Sequence, residues 1–162
     1  MMKIKTIICT IVIFIAMVHH TQSGQNNDLA SKNMENLLLK GICNTCYLQK
    51  VNFQGADLKN ASAQNSDLSY ADFSNADLTG ANFSGSNLRY ASFNKTVLTN
   101  ANFSGADLSH ADLTGAELTN VNFSFTNLFQ IKADLKLLKT TNHENAKFNP
   151  GSMPAPNVDK KP

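Results

Sequence analysis

The sequence predicts an all-β solenoid in which the chain turns a corner every five residues and closes a four-sided coil every twenty. The first observation is the period of five. From Leu48 to Leu128 an apolar centre returns at every fifth position, through Phe53, Leu58, Leu68 and Phe73 onward, with one lapse in size at Ala63. Two residues before most centres sits a compact residue, usually alanine, as at Ala56, Ala71, Ala76, Ala81, Ala91, Ala101, Ala106, Ala111 and Ala116. The second observation is a period of twenty. Leu48, Leu68, Leu88, Leu108 and Leu128 form one column, and Phe53, Phe73, Phe93 and Leu113 the next. Leu58, Leu78, Leu98 and Leu118 form the third, and Ala63, Phe83, Phe103 and Phe123 the fourth. Like stacks on like along the axis, which only a four-unit turn requires. Phe rings one strand spacing apart, about 4.8 Å, can pack offset face to face.

Neither regular alternative fits. A helix repeats its faces about every 3.6 residues and a strand every two, so apolar residues at i and i+5 would smear around a helix. The remaining positions are mostly Asp, Asn, Ser, Thr and Gly, which are poor helix formers. One coil cannot order its own backbone, so stability has to come from stacking, and the open ends need covers.

The flanking segments differ in kind. Residues 1–23 read as a signal peptide: Lys3 and Lys5 precede an apolar run from Ile7 to Val18, too short to span a bilayer, with Thr21 and Ser23 as a small-x-small cleavage site. Residues 24–42 read as a linker and a capping helix from Asp28 to Lys40, with Met34, Leu37 and Leu38 on one side and Gly41 as its stop. The repeats occupy residues 43–130. After Gln130 the register is expected to fail, and 131–149 reads as a C-terminal cap whose Leu135, Leu137 and Leu138 form a turn or helix. Phe148, twenty after Leu128 with Ala146 two before it, could return one degenerate face to the stack. Residues 150–162 read as a disordered tail.

Removing the leader leaves Cys43 and Cys46, spaced C-x-x-C, both expected at inward positions of the first coil. A zinc site would need two further ligands, and no second pair exists; a thioredoxin-like pair would need a βαβ setting. The pattern favours a structural disulfide or a buried thiol pair, with redox and metal roles as the alternatives. No metal and no cofactor are expected.

Units of the form A-(D/N)-L-x-x, seventeen in succession from Leu48 to Leu128, resemble the pentapeptide-repeat family. That resemblance implies a right-handed quadrilateral β-helix, here of about four to five coils. The stretch from Asn36 to Leu48 is similar to the lead-in of some bacterial members. The departures are Ala63, Val97 at a normally polar position, and the break after Gln130.

No catalytic constellation stands out. The aspartates fall one residue before the centres, so their spacing follows the repeat and not an acid–base geometry. Twelve basic residues face twelve acidic ones once Lys3 and Lys5 are removed from the fourteen, so neither nucleic-acid binding nor strong acidic mimicry is written in the balance. One corner is less bland. Steps of twenty give Lys50, Tyr70, Tyr90, His110 and Gln130, flanked by Arg89, and interfaces favour Tyr and Arg. The candidate interaction stripe is Tyr70, Arg89, Tyr90 and His110. The expected function is a non-catalytic, exported (periplasmic or secreted, bacterial) scaffold that binds another protein, with a homodimer as a further option and no membrane span after cleavage. The resemblance raises one alternative: some cytoplasmic members look like double-stranded DNA and bind DNA gyrase, protecting against quinolones. An enzyme is the least favoured class.

Overall fold

In the computed structural model, residues 26–134 and 139–149 are described. The expected leader, the 135–138 part of the cap and the tail lie outside them.

Every fifth residue from Thr45 to Gln130, and Asn145 beyond, has a positive φ, between 53° at Asn65 and 72° at Gly115. A four-residue turn with its third residue left-handed has the geometry of type II, and it bends the chain by one side of a square. The turn closes through bonds such as Ala71 N–H to Leu68 O at 3.1 Å and Ala76 N–H to Phe73 O at 3.0 Å. Glycine and asparagine hold many of these corners because they tolerate that φ. At Gly80 and Gly85 space demands glycine too: a Cβ there would run into the amide oxygen of Asn60 or Asn65 one coil nearer the N-terminus.

Four sides make a coil. Residues twenty apart are bridged in parallel on all four. Face 1 runs Tyr47, Asp67, Asn87, Asp107, Asn127, Lys147; face 2 runs Asn52, Asp72, Ser92, Asp112, Lys132. Face 3 runs Asp57, Asp77, Val97, Glu117, and face 4 runs Ile42, Ser62, Asn82, Asn102, Asn122, Asn142. Leu68 N–H bonds Asn87 O at 2.8 Å and Asn87 N–H returns to Ser66 O at 2.9 Å, and this evenly spaced pattern repeats up each face.

The centres and the small residues two before them are buried, with Phe53, Phe73, Phe83, Phe93, Phe103 and Phe123 fully so. Phe53, Phe73 and Phe93 stack on face 2 at 5.0 and 5.1 Å, and Phe83, Phe103 and Phe123 on face 4 at 5.4 and 5.5 Å. The two stacks meet edge to face across the interior, Phe73 on Phe83 and Phe93 on Phe103, each at 5.6 Å. Where the small position is a hydroxyl residue, the hydroxyl is satisfied internally. Ser66, Ser86, Thr96 and Thr126 donate to the carbonyls of Cys43, Ala63, Phe73 and Phe103 at 2.6–3.0 Å.

Helix α1, Asn26–Lys40, begins two residues earlier than the sequence suggests. Met34 and Leu37 are buried in the solenoid's core, with Ala30 and Leu38 packed against it, a spacing of one helix face. Gly41, at φ 71°, ends the helix, and its carbonyl accepts from Ser62 N–H at 2.7 Å, so the helix runs directly into the face 4 ladder.

The register does not fail after Gln130. Bridges continue to Lys132, Asn142 and Lys147, with Thr141 and Ala146 buried at small positions and Phe148 packed against the core. The expectation missed the Thr141 unit because His143 stands where Leu or Phe marks the others.

Phe93→Asp would bury a charge without a partner between Phe73 and Phe103, at a cost of several kcal/mol. It should abolish cooperative folding, whereas Asn94→Asp should leave thermal unfolding almost unchanged. Two similar melting curves from circular dichroism would contradict the register.

Candidate interaction stripe

The corner between faces 1 and 2 brings three of the expected residues into one column. Tyr70 and Tyr90 stack with ring centroids 4.9 Å apart and planes 4° apart, and Tyr90 and His110 stack at 4.6 Å and 5°. Phe129 closes the column edge-on against His110 at 6.2 Å. Arg89 lies beside it, its guanidinium 5.8 Å from the Tyr90 centroid and Nη1 3.4 Å from Asp107 Oδ2. Tyr70 is 54% exposed, Tyr90 42% and Phe129 41%. Each inner ring spends its faces on its neighbours, so ring edges are what solvent meets.

These residues hold costly backbone. Tyr70, Tyr90 and His110 have φ of 61°, 60° and 64°, where a bulky side chain costs roughly 1–2 kcal/mol. Stacking returns about 0.5–1.5 kcal/mol per pair. The same corner on the other sides is mostly Gly or Asn. All three tyrosines and the chain's one arginine lie on face 1 or this corner, Tyr47 at its top.

The sulfurs of Cys43 and Cys46 are 1.96 Å apart and their Cα atoms 5.7 Å. Cys43 is buried at the centre position above Ala63, but Cys46 is only half-buried, because it occupies the small position at the open end of face 1. Both cysteines take inward positions, Cys46 packing against the core from that open end. Among the described residues no group of three or more His, Cys, Asp and Glu could hold a metal ion, and no helix is long and apolar enough to cross a membrane.

A model of pentapeptide repeats matches residues 46–85, 76–115 and 96–131, with 8 copies. The chain belongs to the pentapeptide-repeat family. Among solved structures it is similar to Rfr23, a pentapeptide repeat protein of the cyanobacterium Cyanothece 51142, with a TM-score of 0.51 and 24% identity over 74% of this chain and 95% of that one. A pentapeptide repeat protein of the Arabidopsis thaliana thylakoid lumen gives a TM-score of 0.51 and 27% identity over 67% of this chain and 78% of that one. QnrB1, a plasmid-mediated fluoroquinolone resistance protein, reaches only 0.28 at 19% identity over 67% and 60%, and carries no argument. Comparison with curated proteins returns no match. Members of solved structure are right-handed β-helices.

In this pentapeptide-repeat protein most Asp and Asn residues before the centres have a structural task that sequence reasoning did not specify. Their side-chain oxygen accepts the backbone N–H two residues on, as Asp72 does from Ser74 at 2.9 Å, Asn102 from Ser104 at 3.0 Å and Asp112 from Thr114 at 2.9 Å. Asp or Asn recurring one residue before most centres, followed two residues on by a turn, is the signal that could have shown it. Up face 4 the amides also bond each other, Asn102 to Asn82 at 3.3 Å and Asn122 to Asn102 at 3.1 Å. Sequence reasoning also missed Phe125, 65% exposed at φ 59° on another corner, though a Phe in the fifth place of its unit breaks the pattern visibly.

Asp57 and Asp77 are neighbours on face 3, and Lys59 bridges them at 3.5 and 2.7 Å. Burial pushes Asp77 up, but hydrogen bonds from Lys59 and Thr79 outweigh it and hold the carboxyl below its usual range. Asp112 follows the same balance, with Thr114 and Lys132 lowering it. A depressed carboxyl stabilises the fold above its unfolded pKa, near 3.9, and the contribution is lost as pH falls through the folded value. Asp77→Asn with Asp112→Asn should therefore lower the melting temperature at about pH 6 and converge on the parent near pH 2, the gap amounting to about 1 kcal/mol or less. Parallel pH profiles would contradict this.

Ser109 Oγ, beside the stripe, is buried without a hydrogen-bond partner, whereas Ser69 two coils nearer the N-terminus bonds Asp67 at 2.8 Å. An unpaired buried hydroxyl costs about 1–3 kcal/mol. Ser109→Ala should leave chemical-denaturation stability equal or higher, and Ser69→Ala should lower it; the reverse order would show that Ser109 has a partner.

Proposed function

We propose that this pentapeptide-repeat protein is a non-catalytic, exported scaffold of about four to five coils, and that it engages another protein through the stripe of Tyr70, Arg89, Tyr90 and His110. One observation carries the reading: three bulky side chains held at left-handed φ, stacked at consecutive levels beside the only arginine. Strain kept where glycine or asparagine would relieve it points to use, and Tyr and Arg are the residue types that dominate binding hot spots. A solenoid presents them with little ordering cost, since its backbone is already fixed. Export is supported by the leader-like residues 1–23, and an oxidising compartment would keep Cys43 and Cys46 bonded.

A DNA-mimicking, gyrase-binding role needs a continuous band of negative charge. The outward columns argue against it, because Asp67, Asn87, Asp107 and Asn127 alternate and Lys59, Arg89 and Lys132 sit on carboxylates.

Asparagine tolerates the corner φ, so Tyr90→Asn isolates the side chain. Stability should change by about 1 kcal/mol or less, while affinity for a protein captured from an envelope fraction should fall roughly tenfold or more. Unchanged binding in both Tyr90→Asn and Tyr70→Asn would reject the stripe, and a captured second copy of this chain would make the partner a homodimer.

A further inference from the structure

We propose that the partner at the stripe is a second copy of this chain, laid antiparallel against face 1 with the two-fold axis passing between Asn87 and Asp107; this rests on the stripe being a contact surface. The outward column of face 1 reads Tyr47, Asp67, Asn87, Asp107, Asn127, Lys147. A two-fold axis perpendicular to the solenoid lays this column against itself in reverse. Through the midpoint, it sets Asn87 opposite the partner's Asp107, Asp67 opposite the partner's Asn127, and Tyr47 opposite the partner's Lys147.

Every carboxylate of the column then meets an amide, and no like charges face each other along it. Each amide spends one N–H inside its own column, Asn87 on Asp67 at 3.1 Å and Asn127 on Asp107 at 3.0 Å. A primary amide has a second N–H, which is left for the partner. Sliding either copy by one coil brings Asp107 against the partner's Asp107 or Asp67, so the alternation selects this register by repulsion in its neighbours. Avoided repulsion within one chain accounts for the alternation; its consequence is a face that complements itself, as an isologous interface requires.

The same operation carries the stripe onto itself. Tyr90 meets the partner's His110, and Tyr70 meets the partner's Gln130. Two aromatic columns thus lie edge to edge, covering rings that are 54% exposed at Tyr70 and 42% at Tyr90. A parallel pair would instead set each column against the far edge of the face, where Asn65, Gly85 and Gly105 stand. Both Arg89–Asp107 pairs, 3.4 Å apart within each chain, gather at the axis as two cations and two anions. Tyr, Phe and Arg are the residues interfaces enrich. The face is only about 24 Å long at the ladder spacing, so the dimer is small and weak.

Sedimentation equilibrium of the purified exported protein reads the association, with Kd expected at roughly 10–500 µM for a contact of this size. Asn127→Asp keeps the side-chain oxygen that accepts Phe129 N–H at 3.2 Å. It sets a carboxylate opposite the partner's Asp67 at two symmetric points, and should weaken the dimer about tenfold or more. Adding Asp67→Asn, which keeps the acceptor for Ser69 N–H at 3.1 Å, should return Kd to within about threefold of the parent. Asp67 and Asn127 stand three coils, about 14 Å, apart in one chain, so the rescue acts between copies. Asn127→Lys should tighten the dimer several-fold, a gain that a damaged fold does not give. A parent that stays monomeric at about 1 mM overturns the proposal. So does a dimer indifferent to Asn127→Asp, or a loss that Asp67→Asn does not restore. A monomeric parent whose Tyr90→Asn variant loses a captured protein keeps the stripe and drops the second copy. A dimer that answers to Asn127 and Asp67 but not to Tyr90→Asn keeps the second copy on face 1 and drops the stripe.

Discussion

A hydrogen bond that joins each bridged residue to a chain segment one coil away, as Leu68 N–H joins Asn87 O at 2.8 Å, locks every side chain over the one twenty before it. The stacking distance, about 4.8 Å, is then imposed on whatever residue the sequence places in a column. Aromatic rings gain from it, which is why Phe53, Phe73 and Phe93 stack inside and Tyr70, Tyr90 and His110 outside with the same near-parallel geometry. Amides gain from it as well, in the bonded Asn82, Asn102 and Asn122. Like charges lose. The one bridged pair of carboxylates among the described residues, Asp57 and Asp77, carries Lys59 across it, and face 1 avoids the conflict by alternating Asp with Asn.

The corner obeys a different rule. It requires positive φ whatever the column, and the cost of a side chain there depends on the residue. Glycine and asparagine relieve that cost at many corners; Tyr70, Tyr90 and His110 do not. A scaffold bonded on every side can sustain such positions, because neighbouring levels over-determine the backbone. Strain alone does not mark the stripe, since Lys95 and Phe125 share it at other corners; rings stacked at consecutive levels do.

The columns were legible in the sequence because a period of twenty has no other physical source, and the helix was legible from Met34, Leu37, Leu38 and Gly41. Less visible was anything set by hydrogen bonding off the centres. Ser66 and Ser86 look like weaker versions of the alanines around them, yet each hydroxyl accepts an N–H from the coil before and donates to a carbonyl, so they replace a turn bond as well as filling space. The continuation past Gln130 was hidden for a related reason. A repeat is recognised by its large centre, whereas the ladder needs only the backbone and a small residue, and Thr141 supplies that although His143 does not look like a centre. At the stripe, position was readable from spacing, but not the parallel rings or the left-handed φ that give the column its interest.

Exposed apolar residues elsewhere compete poorly as contact surfaces. Phe125 is single on its corner, and Leu39 and Ile42 flank the end of α1; scattered apolar residues of this kind are normal on any protein surface. The stripe differs in being contiguous over successive levels and in what it leaves open. Both faces of Tyr90 are consumed by stacking and Arg89 is held by Asp107, so along the stripe a partner meets mainly ring edges, hydroxyls and a partly committed guanidinium. A flat ring inserted between neighbours would have to break the stack and the register beneath it. A narrow, extended segment running parallel to the axis meets each level in turn and breaks nothing.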